Sequence, residues 1–482
     1  MSASRVKVSG WRDATALADR LADVCREVRT SDDVLTTASR DWWPLAMHWT
    51  LAGEVPAMAS VVCRPTDAGE VAGVLRVCHV AGVPVTPAGG RSGVCGASVP
   101  IFGGVVLDAT ALTGIVTVDP TSLVADVRAG TFGHDLETAL RTDHGVTLGH
   151  WPQSIELSTV GGWLACRSAG QYSTRYGKIE DIVVGLDVVL ADGTAVTTGG
   201  YPRQAVGPDL TQLFVGSEGT LGVITAARLR VHPLPPVEWR AAYGFPTFAA
   251  GIDACRRILR RGATPAVLRL YDGAESARSH GGDGTMCVLL VLDEADDAVI
   301  DATRSIVGDE CASAERLDDE LVALWLDHRN DVSALDALTR KGYVVDTMEV
   351  SAPWARLPDL YDVTTAALRT VPDCLVASAH LSHSYPDGAC VYFTFAAHPR
   401  SDAVDGTYVA LWDAGTRATL AAGGSLSHHH GVGLNRARFV PEALGTAADV
   451  LVRLKAALDP SGILNPGKLG LPSTFGEVRW PE

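Results

Sequence analysis

The sequence predicts an α+β protein of more than one domain, and three observations support this fold class. The chain has 482 residues, too many for a single hydrophobic core and typical of two or three domains. Short β-branched segments alternate with amphipathic segments of helical spacing. A proline-rich stretch at Pro233–Pro236 interrupts this pattern and marks a domain boundary.

The first domain is predicted to begin with helices and to continue as strands. Apolar residues at helical spacing predict one helix over residues 11–30 and a second from Thr66, as its N-cap, to Gly82, as its C-cap. Between residues 104 and 235, short apolar segments alternate with turns, which favours strands. A hairpin is predicted around Asp192 and Gly193.

The second domain follows the proline-rich stretch and mixes strands with helices. Helices are predicted near residue 255, over 312–341 and over 355–368, with strands between them. Such a mixture suits an antiparallel sheet flanked by helices. We therefore divide the chain into residues 1–236, residues 237–438 as a cap, and residues 439–482 as a C-terminal helix and loop that return to the first domain.

Composition and charge exclude several classes of protein. The net charge of −16 argues against nucleic acid and anionic membranes as partners, since both need a basic surface. The sequence shows no apolar run long enough to span a bilayer and no signal peptide. Ten cysteines without a CxxC pair are typical of reduced thiols. We expect a cytoplasmic protein, and the excess of Arg over Lys favours a bacterial source.

A glycine-rich loop follows a predicted strand in the first domain. Consecutive glycines expose main-chain N–H groups, which can form a concave binding site for phosphate oxygens. The loop is neither a GxGxxG motif nor a Walker loop, and on its own it is equally consistent with a structural turn. Its residues are Pro87, Gly89, Gly90, Arg91, Ser92 and Gly93.

Two later motifs occur in order after this loop, SIELSTVGGWLACRSAGQYSTRYG at 154–177 and GSEGTLGVI at 216–224. Together the three resemble the vanillyl-alcohol-oxidase (PCMH-type) FAD-binding fold. The resemblance implies that the first loop holds the pyrophosphate, the STVGG and SAG segments line the flavin, and EGTLGVI lies near the adenine and ribose. Beyond the loop, the matching residues are Ser154, Ser158, Thr159, Gly161, Gly162, Ser168, Gly170, Tyr176, Gly177, Glu218, Gly219, Val223 and Ile224.

Two departures from that fold concern the flavin. Members that hold flavin covalently through the first loop carry a histidine there, and this loop has none. We therefore expect non-covalent FAD. Arg91 stands where the fold often has glycine, and its guanidinium is a candidate phosphate ligand.

The second half contains TMEVSAPW at 347–354, YPDGACVYF at 385–393 and GSLSHHHGVG at 424–433. These segments resemble alkyldihydroxyacetonephosphate synthase and its bacterial FAD-linked oxidase relatives. The resemblance implies active-site roles for His428, His429, His430, Tyr392 and Arg269. Histidines are also suited by their pKa to move protons near neutral pH.

One departure concerns the substrate. The synthases carry a catalytic arginine at a position that Leu335 occupies here when the sequences are aligned by eye. Loss of a cation from a site for a phosphorylated substrate is costly. It argues against the synthase reaction and favours a neutral or cationic substrate.

His380 and His383 form a further cluster, which we assign to the substrate site. Related 2-hydroxy-acid dehydrogenases bind a divalent metal near this position. Here His429 stands at the position of their glutamate and Tyr392 at that of a second ligand, so we assign no metal.

The leading hypothesis is an FAD-dependent alcohol dehydrogenase or oxidase that acts on a small polar, sugar-like or cationic substrate. The alternatives are a synthase-like transferase, a 2-hydroxy-acid dehydrogenase of the D-lactate or glycolate type with Arg269 as carboxylate ligand, and a flavin-binding protein without activity. The electron acceptor is left open among oxygen, a quinone and another carrier. A homodimer is one option for the oligomeric state.

Overall fold

The computed structural model describes residues 3–331 and 333–481. Over these residues the chain has an α+β fold with three main sheets of four, five and seven strands, which confirms the predicted fold class. Among the helices of the described chain, none combines the length and hydropathy needed to cross a membrane.

The N-terminal part builds the four-stranded sheet. Its elements are β1 (Ala3–Ser4), β2 (Lys7–Val8), α1 (Ala18–Ala22), β3 (Val28–Arg29), α2 (Asp32–Ala38), α3 (Pro44–Leu51), β4 (Glu54–Val55), β5 (Val61–Cys63), α4 (Ala68–Ala81), β6 (Val85–Ala88) and β7 (Val105–Asp108). The sheet has the order β3-β5-β7-β6, with β5, β7 and β6 parallel. The glycine-rich loop therefore leaves from an edge strand.

Two helix predictions in this part need correction. The helix predicted over 11–30 is wrong, because only α1 is α-helical there and the chain then enters β3, which pairs with β5. Asp67, not Thr66, is the N-cap of α4, and its carboxylate accepts the N–H of Glu70 at 2.9 Å. Gly82 ends this helix with a left-handed φ of 61°, as predicted.

The next part builds the five-stranded sheet. Its elements are β8 (Ile115–Asp119), β9 (Val124–Arg128), α5 (Gly133–His144), β10 (Val146–Thr147), α6 (Val160–Cys166), α7 (Ser173–Tyr176), α8 (Ile179–Ile182), β11 (Val183–Val189), β12 (Ala195–Gly199), α9 (Leu210–Phe214), β13 (Val223–Arg230) and β14 (His232–Pro233). The order is β12-β11-β13-β9-β8, antiparallel throughout. The hairpin predicted at Asp192–Gly193 is confirmed as β11–β12.

Residues beyond Val237 build the seven-stranded sheet. Its elements are β15 (Val237–Phe245), α10 (Phe248–Arg260), β16 (Val267–Tyr271), α11 (Gly273–His280), β17 (Cys287–Ala295), α12 (Asp297–Glu310), β18 (Glu315–Leu317), α13 (Glu320–His328), α14 (Ser333–Arg340), β19 (Val344–Pro353), α15 (Leu357–Arg369), β20 (Cys374–Ser384), β21 (Gly388–Ala397) and α16 (Val404–Ala421). The order is β18-β15-β17-β16-β20-β21-β19, all antiparallel. The single helix predicted over 312–341 is wrong, since β18, α13 and α14 share that stretch.

The two faces of this sheet have different functions because side chains alternate along each strand. On one face, residues such as Leu289, Leu381 and Phe393 join the core formed with the flanking helices. On the other face, Tyr271 and Leu290 pack with Tyr172 of the five-stranded part. This second face carries the candidate site.

The chain ends with α17 (Val440–Leu444), α18 (Ala447–Leu458) and β22 (Val478–Arg479). The ammonium of Lys455 donates to the main-chain oxygen of Thr220 at 2.8 Å, and Asn465 donates to that of Glu218 at 2.7 Å. The C-terminal segment thus contacts the first half of the chain. The three-part division itself remains a prediction.

Candidate active site

The glycine-rich loop lies against two other segments with matching motifs. A Cβ atom at Gly89 would overlap Oγ1 of Thr159, and one at Gly90 would overlap the main-chain oxygen of Leu157. Gly219 has a φ of 71°, and a Cβ there would meet Cγ of Pro87 at 3.0 Å. Only glycine allows these segments to approach so closely, so the loop, the STVGG turn and the EGTLG segment form one glycine cradle.

The donors of this cradle fit an anionic phosphate. Among the hydrogen bonds of the described residues, the main-chain N–H groups of Gly90, Arg91 and Ser92 find no protein acceptor. Consecutive free N–H groups are the donor set that phosphate oxygens require. The Arg91 guanidinium, by contrast, pairs with Asp108 at 3.1 Å, so that carboxylate competes with the phosphate role predicted for it.

The other predicted flavin residues form the surroundings of the cradle. Thr159 is the N-cap of α6, and Ser158 accepts the indole N–H of Trp163 at 2.7 Å and donates to the main-chain oxygen of Ser154 at 2.8 Å. The Tyr176 hydroxyl donates a hydrogen bond at 2.6 Å to Glu294, which lies on β17 of the seven-stranded sheet. The remaining predicted residues lie on these segments and on β13, namely Gly161, Gly162, Ser168, Gly170, Val223 and Ile224.

Glu218 connects the cradle to the histidine segment. Its carboxylate accepts the N–H groups of Val432 at 2.5 Å and Gly433 at 2.9 Å. Burial raises the pKa of this carboxyl, while those two N–H groups act in the opposite direction. Glu218, which the resemblance placed near the adenine and ribose of FAD, therefore holds the loop that follows His430 in position.

The seven-stranded sheet contributes a row of side chains, called the strand row below, that crosses four neighbouring strands. The register pairs Tyr271 of β16 with His380 of β20, His380 with Tyr392 of β21, and Tyr392 with Glu349 of β19. The rings of His380 and Tyr392 stack with centroids 4.9 Å apart. A register shift between Leu381 and His383 allows His383 to reach the same region from β20.

Glu349, at the end of this strand row, organises the histidine segment. Its buried carboxylate accepts the N–H groups of His428, His429 and His430 at 3.2, 3.1 and 2.8 Å and the Ser427 hydroxyl at 2.6 Å. Arg436 forms a fully buried ion pair with it. Burial alone would raise the pKa of Glu349, but Arg436 and His430 hold it well below its ordinary value.

The histidine rings are linked to one another and to the cap. Nδ1 of His428 lies 2.8 Å from Nδ1 of His429, Nε2 of His428 lies 3.0 Å from the Tyr385 hydroxyl, and Nδ1 of His383 lies 2.7 Å from Oγ of Ser173. Burial lowers the pKa of all three imidazoles well below 6.5. Nδ1 of His430 lies 3.1 Å from Glu349 but without hydrogen-bond geometry.

A metal ion is one group that these rings could hold. One ligand nitrogen from each of His383, His428 and His429 lies within 4.8 Å of the other two. Three neutral imidazoles suit a transition metal. This set shares His383 and His429 with the positions compared in the sequence, where no metal was assigned, and adds His428.

Arg269 and His380 form a second cluster beside the row. The Arg269 guanidinium donates to the Tyr271 hydroxyl at 2.7 Å and to Nε2 of His380 at 2.5 Å. Nδ1 of His380 donates to Glu275 at 2.7 Å. Burial lowers the pKa of His380 to about 4, and the positive charge of Arg269 acts in the same direction. Because His380 is neutral, its Nε2 can accept a hydrogen bond from the Arg269 guanidinium.

Arg329, which the sequence did not single out, lies in the same region. Its guanidinium carbon is 5.1 to 5.6 Å from the rings of Tyr172, Trp151 and Trp325, and Arg269 is 5.8 Å from the same Trp325 ring. Within the described residues, neither arginine pairs with a carboxylate, and Nη1 of Arg329 is buried without a partner. Leu335 lies instead on α14, which packs against α3 and β19.

Sequence reasoning missed several of these residues for a common reason. Glu349, Glu275, Tyr385, Arg329 and Arg436 lie on different elements, and only their tertiary neighbours reveal their partners. Glu349 and Tyr385 at least stood inside quoted motifs. A charged or polar residue between buried positions of a strand was the available signal for Glu349.

The fold and the cradle define an FAD-binding flavoprotein, and comparisons with known proteins agree. Residues 59–199 match the FAD binding domain family, and residues 234–469 match the C-terminal domain of FAD linked oxidases. An uncharacterized FAD-linked oxidoreductase, YgcU of Escherichia coli (strain K12), is 31% identical over 478 residues, covering 94% of this chain and 98% of the relative. The chain belongs to this FAD-linked oxidoreductase family, and FAD is its cofactor.

Solved structures confirm the predicted fold. A structure of alkyldihydroxyacetonephosphate synthase is similar with a TM-score of 0.80 and 25% identity, covering 97% of this chain and 88% of the other. p-Cresol methylhydroxylase with bound substrate is similar in fold, with a TM-score of 0.75, 17% identity and coverage of 97% and 99%. The suspected resemblance to the PCMH-type fold and the synthase is thereby confirmed.

Proposed function

We propose that this enzyme oxidises an alcohol group of a small polar substrate held between the glycine cradle and the cap. The observation that supports this most is a series of neighbouring side chains: the His429 and Tyr392 rings lie 6.0 Å apart, the Tyr392 and His380 rings 4.9 Å apart, and Arg269 donates to His380 at 2.5 Å. When bound, FAD supplies the oxidising power by accepting a hydride at N5. The loop Pro87–Gly93 and the turn around Thr159 are the segments that would hold it.

His429 is the histidine best suited to take the hydroxyl proton. Both ring nitrogens of His428 are engaged, by His429 and by Tyr385. Among the residues that the structure describes, His429 forms a ring hydrogen bond through Nδ1 alone, and its ring centroid lies 6.0 Å from that of Tyr392. Nε2 of His429 is thus left to accept a proton, with the Tyr392 hydroxyl, 3.0 Å from Thr347, nearby as an orienting group.

The two arginines decide the proposed substrate class. Arg269 and Arg329 offer two guanidinium groups that have no acidic partner in the described part of the chain, a pattern suited to a carboxylate or phosphate. This favours an anionic hydroxy compound over the neutral or cationic substrate expected from Leu335. The second candidate function, a 2-hydroxy-acid dehydrogenase, would act on one member of this class, whose hydroxyl and carboxylate would match His429 and Arg269 together.

Anaerobic bleaching of the flavin tests this function. The FAD-loaded enzyme is mixed with 2-hydroxy acids, phosphorylated alcohols, neutral sugars and amino sugars, and the flavin absorbance is followed. We expect bleaching by an anionic hydroxy compound. If no member of the panel bleaches the flavin, the alcohol-oxidation proposal fails for these classes.

A pair of variants tests the role of His429. We expect His429→Ala to slow bleaching by about 100-fold or more, the usual contribution of a general base. The matched control is His144→Ala, because His144 is an exposed histidine at the end of α5. Equal rates for the His429→Ala variant and the control would exclude His429 as the base.

A further inference from the structure

We propose that Glu275 is a positioning residue that, through His380, orients the Arg269 guanidinium for the anionic group of the substrate. The inference rests on the proposed function, in which Arg269 binds a carboxylate or phosphate. Glu275 acts only through His380 in this arrangement and is not itself a ligand of the substrate.

The first turn of α11 holds Glu275 against His380. The main-chain N–H of Glu275 donates to the carboxylate of Asp272, the N-cap, at 2.8 Å, and the other oxygen of Asp272 accepts the N–H of Ala379 on β20 at 2.8 Å. The Glu275 side chain is buried, and its Oε2 lies 2.7 Å from Nδ1 of His380. The helix cap therefore places this carboxylate beside His380 before any substrate binds.

The two neighbours of the His380 ring decide which nitrogen carries its proton. Arginine side chains only donate hydrogen bonds, so Nε2 of His380, which lies 2.5 Å from Nη2 of Arg269, must accept. Burial holds the pKa of His380 at about 4, so the ring is neutral near pH 7 and carries one proton, on Nδ1. Glu275 supplies the acceptor oxygen for that proton, and the ring has one tautomer.

His380 and Tyr271 fix the Arg269 guanidinium from two sides. Nε donates to the Tyr271 hydroxyl at 2.7 Å and Nη2 donates to His380, while the rings of Tyr271 and Trp325 lie 5.2 and 5.8 Å from the guanidinium carbon. Arg269 is half-buried, and its Nη1 donates to none of the described residues. Nη1 is thus left for an anion, and a guanidinium fixed in advance loses less conformational entropy on binding.

Loss of the Glu275 acceptor would undo this arrangement. A buried Nδ1–H of His380 without an acceptor is costly, which favours movement of the proton to Nε2. Nε2–H would then face the N–H groups of Arg269, and the guanidinium would turn away from His380. Arg278, the cation that pairs with Glu275 at 3.2 Å, is half-exposed and would be left to solvent. The anion site would therefore lose its fixed donor although Arg269 itself is unchanged.

The first test needs no substrate. In FAD-loaded enzyme labelled with ¹⁵N-histidine, the NMR shifts of the ring nitrogens report which nitrogen carries the proton, and His380→Asn identifies the His380 signal. We expect the proton on Nδ1 in the wild type and a shift to Nε2 in Glu275→Met, which has a similar size but lacks the carboxylate. Glu275→Gln, whose amide oxygen can still accept from Nδ1, should keep the wild-type pattern.

The matched control is Glu70→Met, which removes a glutamate from the first turn of α4, where its carboxylate accepts the N–H of Thr66 at 2.9 Å. We expect the His380 signal to be unchanged in this variant. A wild-type proton on Nε2 would overturn the positioning role of Glu275. So would a Glu275→Met variant that keeps the proton on Nδ1 with its flavin spectrum intact.

A second measurement asks whether anion binding depends on Glu275. The probe is oxalate, a dicarboxylate without a hydroxyl group to oxidise, and its binding to FAD-loaded enzyme is followed by calorimetry. We expect Glu275→Met to raise the Kd by about 10-fold or more, as loss of a hydrogen bond to a charged group does. Glu275→Gln and Glu70→Met should stay near the wild-type value. Equal oxalate affinity in Glu275→Met and the wild type would also overturn the inference.

Any compound that bleaches the flavin provides a third readout. We expect Glu275→Met to raise the concentration needed for half-maximal bleaching, with a smaller change in the limiting rate, because Glu275 acts on binding rather than on proton transfer. A wild-type enzyme that binds no oxalate and is bleached by no anionic hydroxy compound would refute the anionic substrate. The His380 tautomer in the variants would still decide the role of Glu275, so the two failures are distinguishable.

Discussion

The glycine cradle and the strand row of the cap are built in opposite ways. In the cradle, Gly89, Gly90 and Gly219 bring backbones together where any Cβ atom would interfere. In the strand row, His380, Tyr392 and Glu349 on adjacent strands are positioned by register and hold the site through side-chain hydrogen bonds. The cradle requires the absence of side chains, whereas the strand row requires particular side chains. Substitutions in the two regions should therefore lower stability and activity for different physical reasons.

The largest effect is expected in the cap half. Glu349→Gln should lower the free energy of unfolding by roughly 3–5 kcal/mol, because Arg436 would remain as an unpaired buried cation. Urea unfolding measures this difference. The matched control is Glu442→Gln, which breaks an exposed pair with Arg417 and should cost about 0–1 kcal/mol. Similar losses for both variants would contradict the role of Glu349.

The next effect concerns the cradle. Gly90→Ala should cost roughly 1–3 kcal/mol, since its Cβ would overlap the main-chain oxygen of Leu157. The variant should also purify with less flavin absorbance per protein. Gly308→Ala is the control, because this glycine lies in α12 with open space around it and should gain roughly 0.5–1 kcal/mol in a helix interior. Full FAD loading of the Gly90→Ala variant would contradict the role of the glycine cradle in binding FAD.

A third prediction separates substrate binding from chemistry. Arg329→Leu should raise the concentration needed for half-maximal bleaching by about 10- to 100-fold, because a hydrogen bond to a charged group is lost. The limiting bleaching rate should change less. Arg340→Leu, at an exposed pair with Asp336 on α14, is the matched control. An unchanged concentration dependence for Arg329→Leu would favour a neutral substrate.

The smallest effect is expected in the pH dependence of stability. The pKa of His380 is about 4 in the folded chain against an ordinary value of 6.5. Between these values the unfolded chain binds a proton that the folded chain does not, so the free energy of unfolding falls as the pH is lowered. His380→Asn should remove about 1.4 kcal/mol of this loss per pH unit. Identical slopes for wild type and variant in urea titrations would contradict the assignment.

Much of the fold could be predicted because its signals are local. The hairpin at Asp192–Gly193 and the end of α4 at Gly82 follow from turn and cap chemistry within a few residues. The helix predicted over 11–30 failed because apolar spacing there serves a short helix and a strand paired with β5. Similarly, β18 interrupts the helix predicted over 312–341 because it pairs with β15, some 70 residues away.

The sequence by itself determined the cofactor half of this protein. Glycine motifs are recognisable as motifs because the missing Cβ atoms are required at fixed spacing along the chain. The tertiary structure alone decided which groups surround the site. Glu349, Tyr385 and Arg329 come from separate elements, and long-range strand pairing and burial, rather than local sequence, bring them within hydrogen-bonding or ring-contact distance of the site.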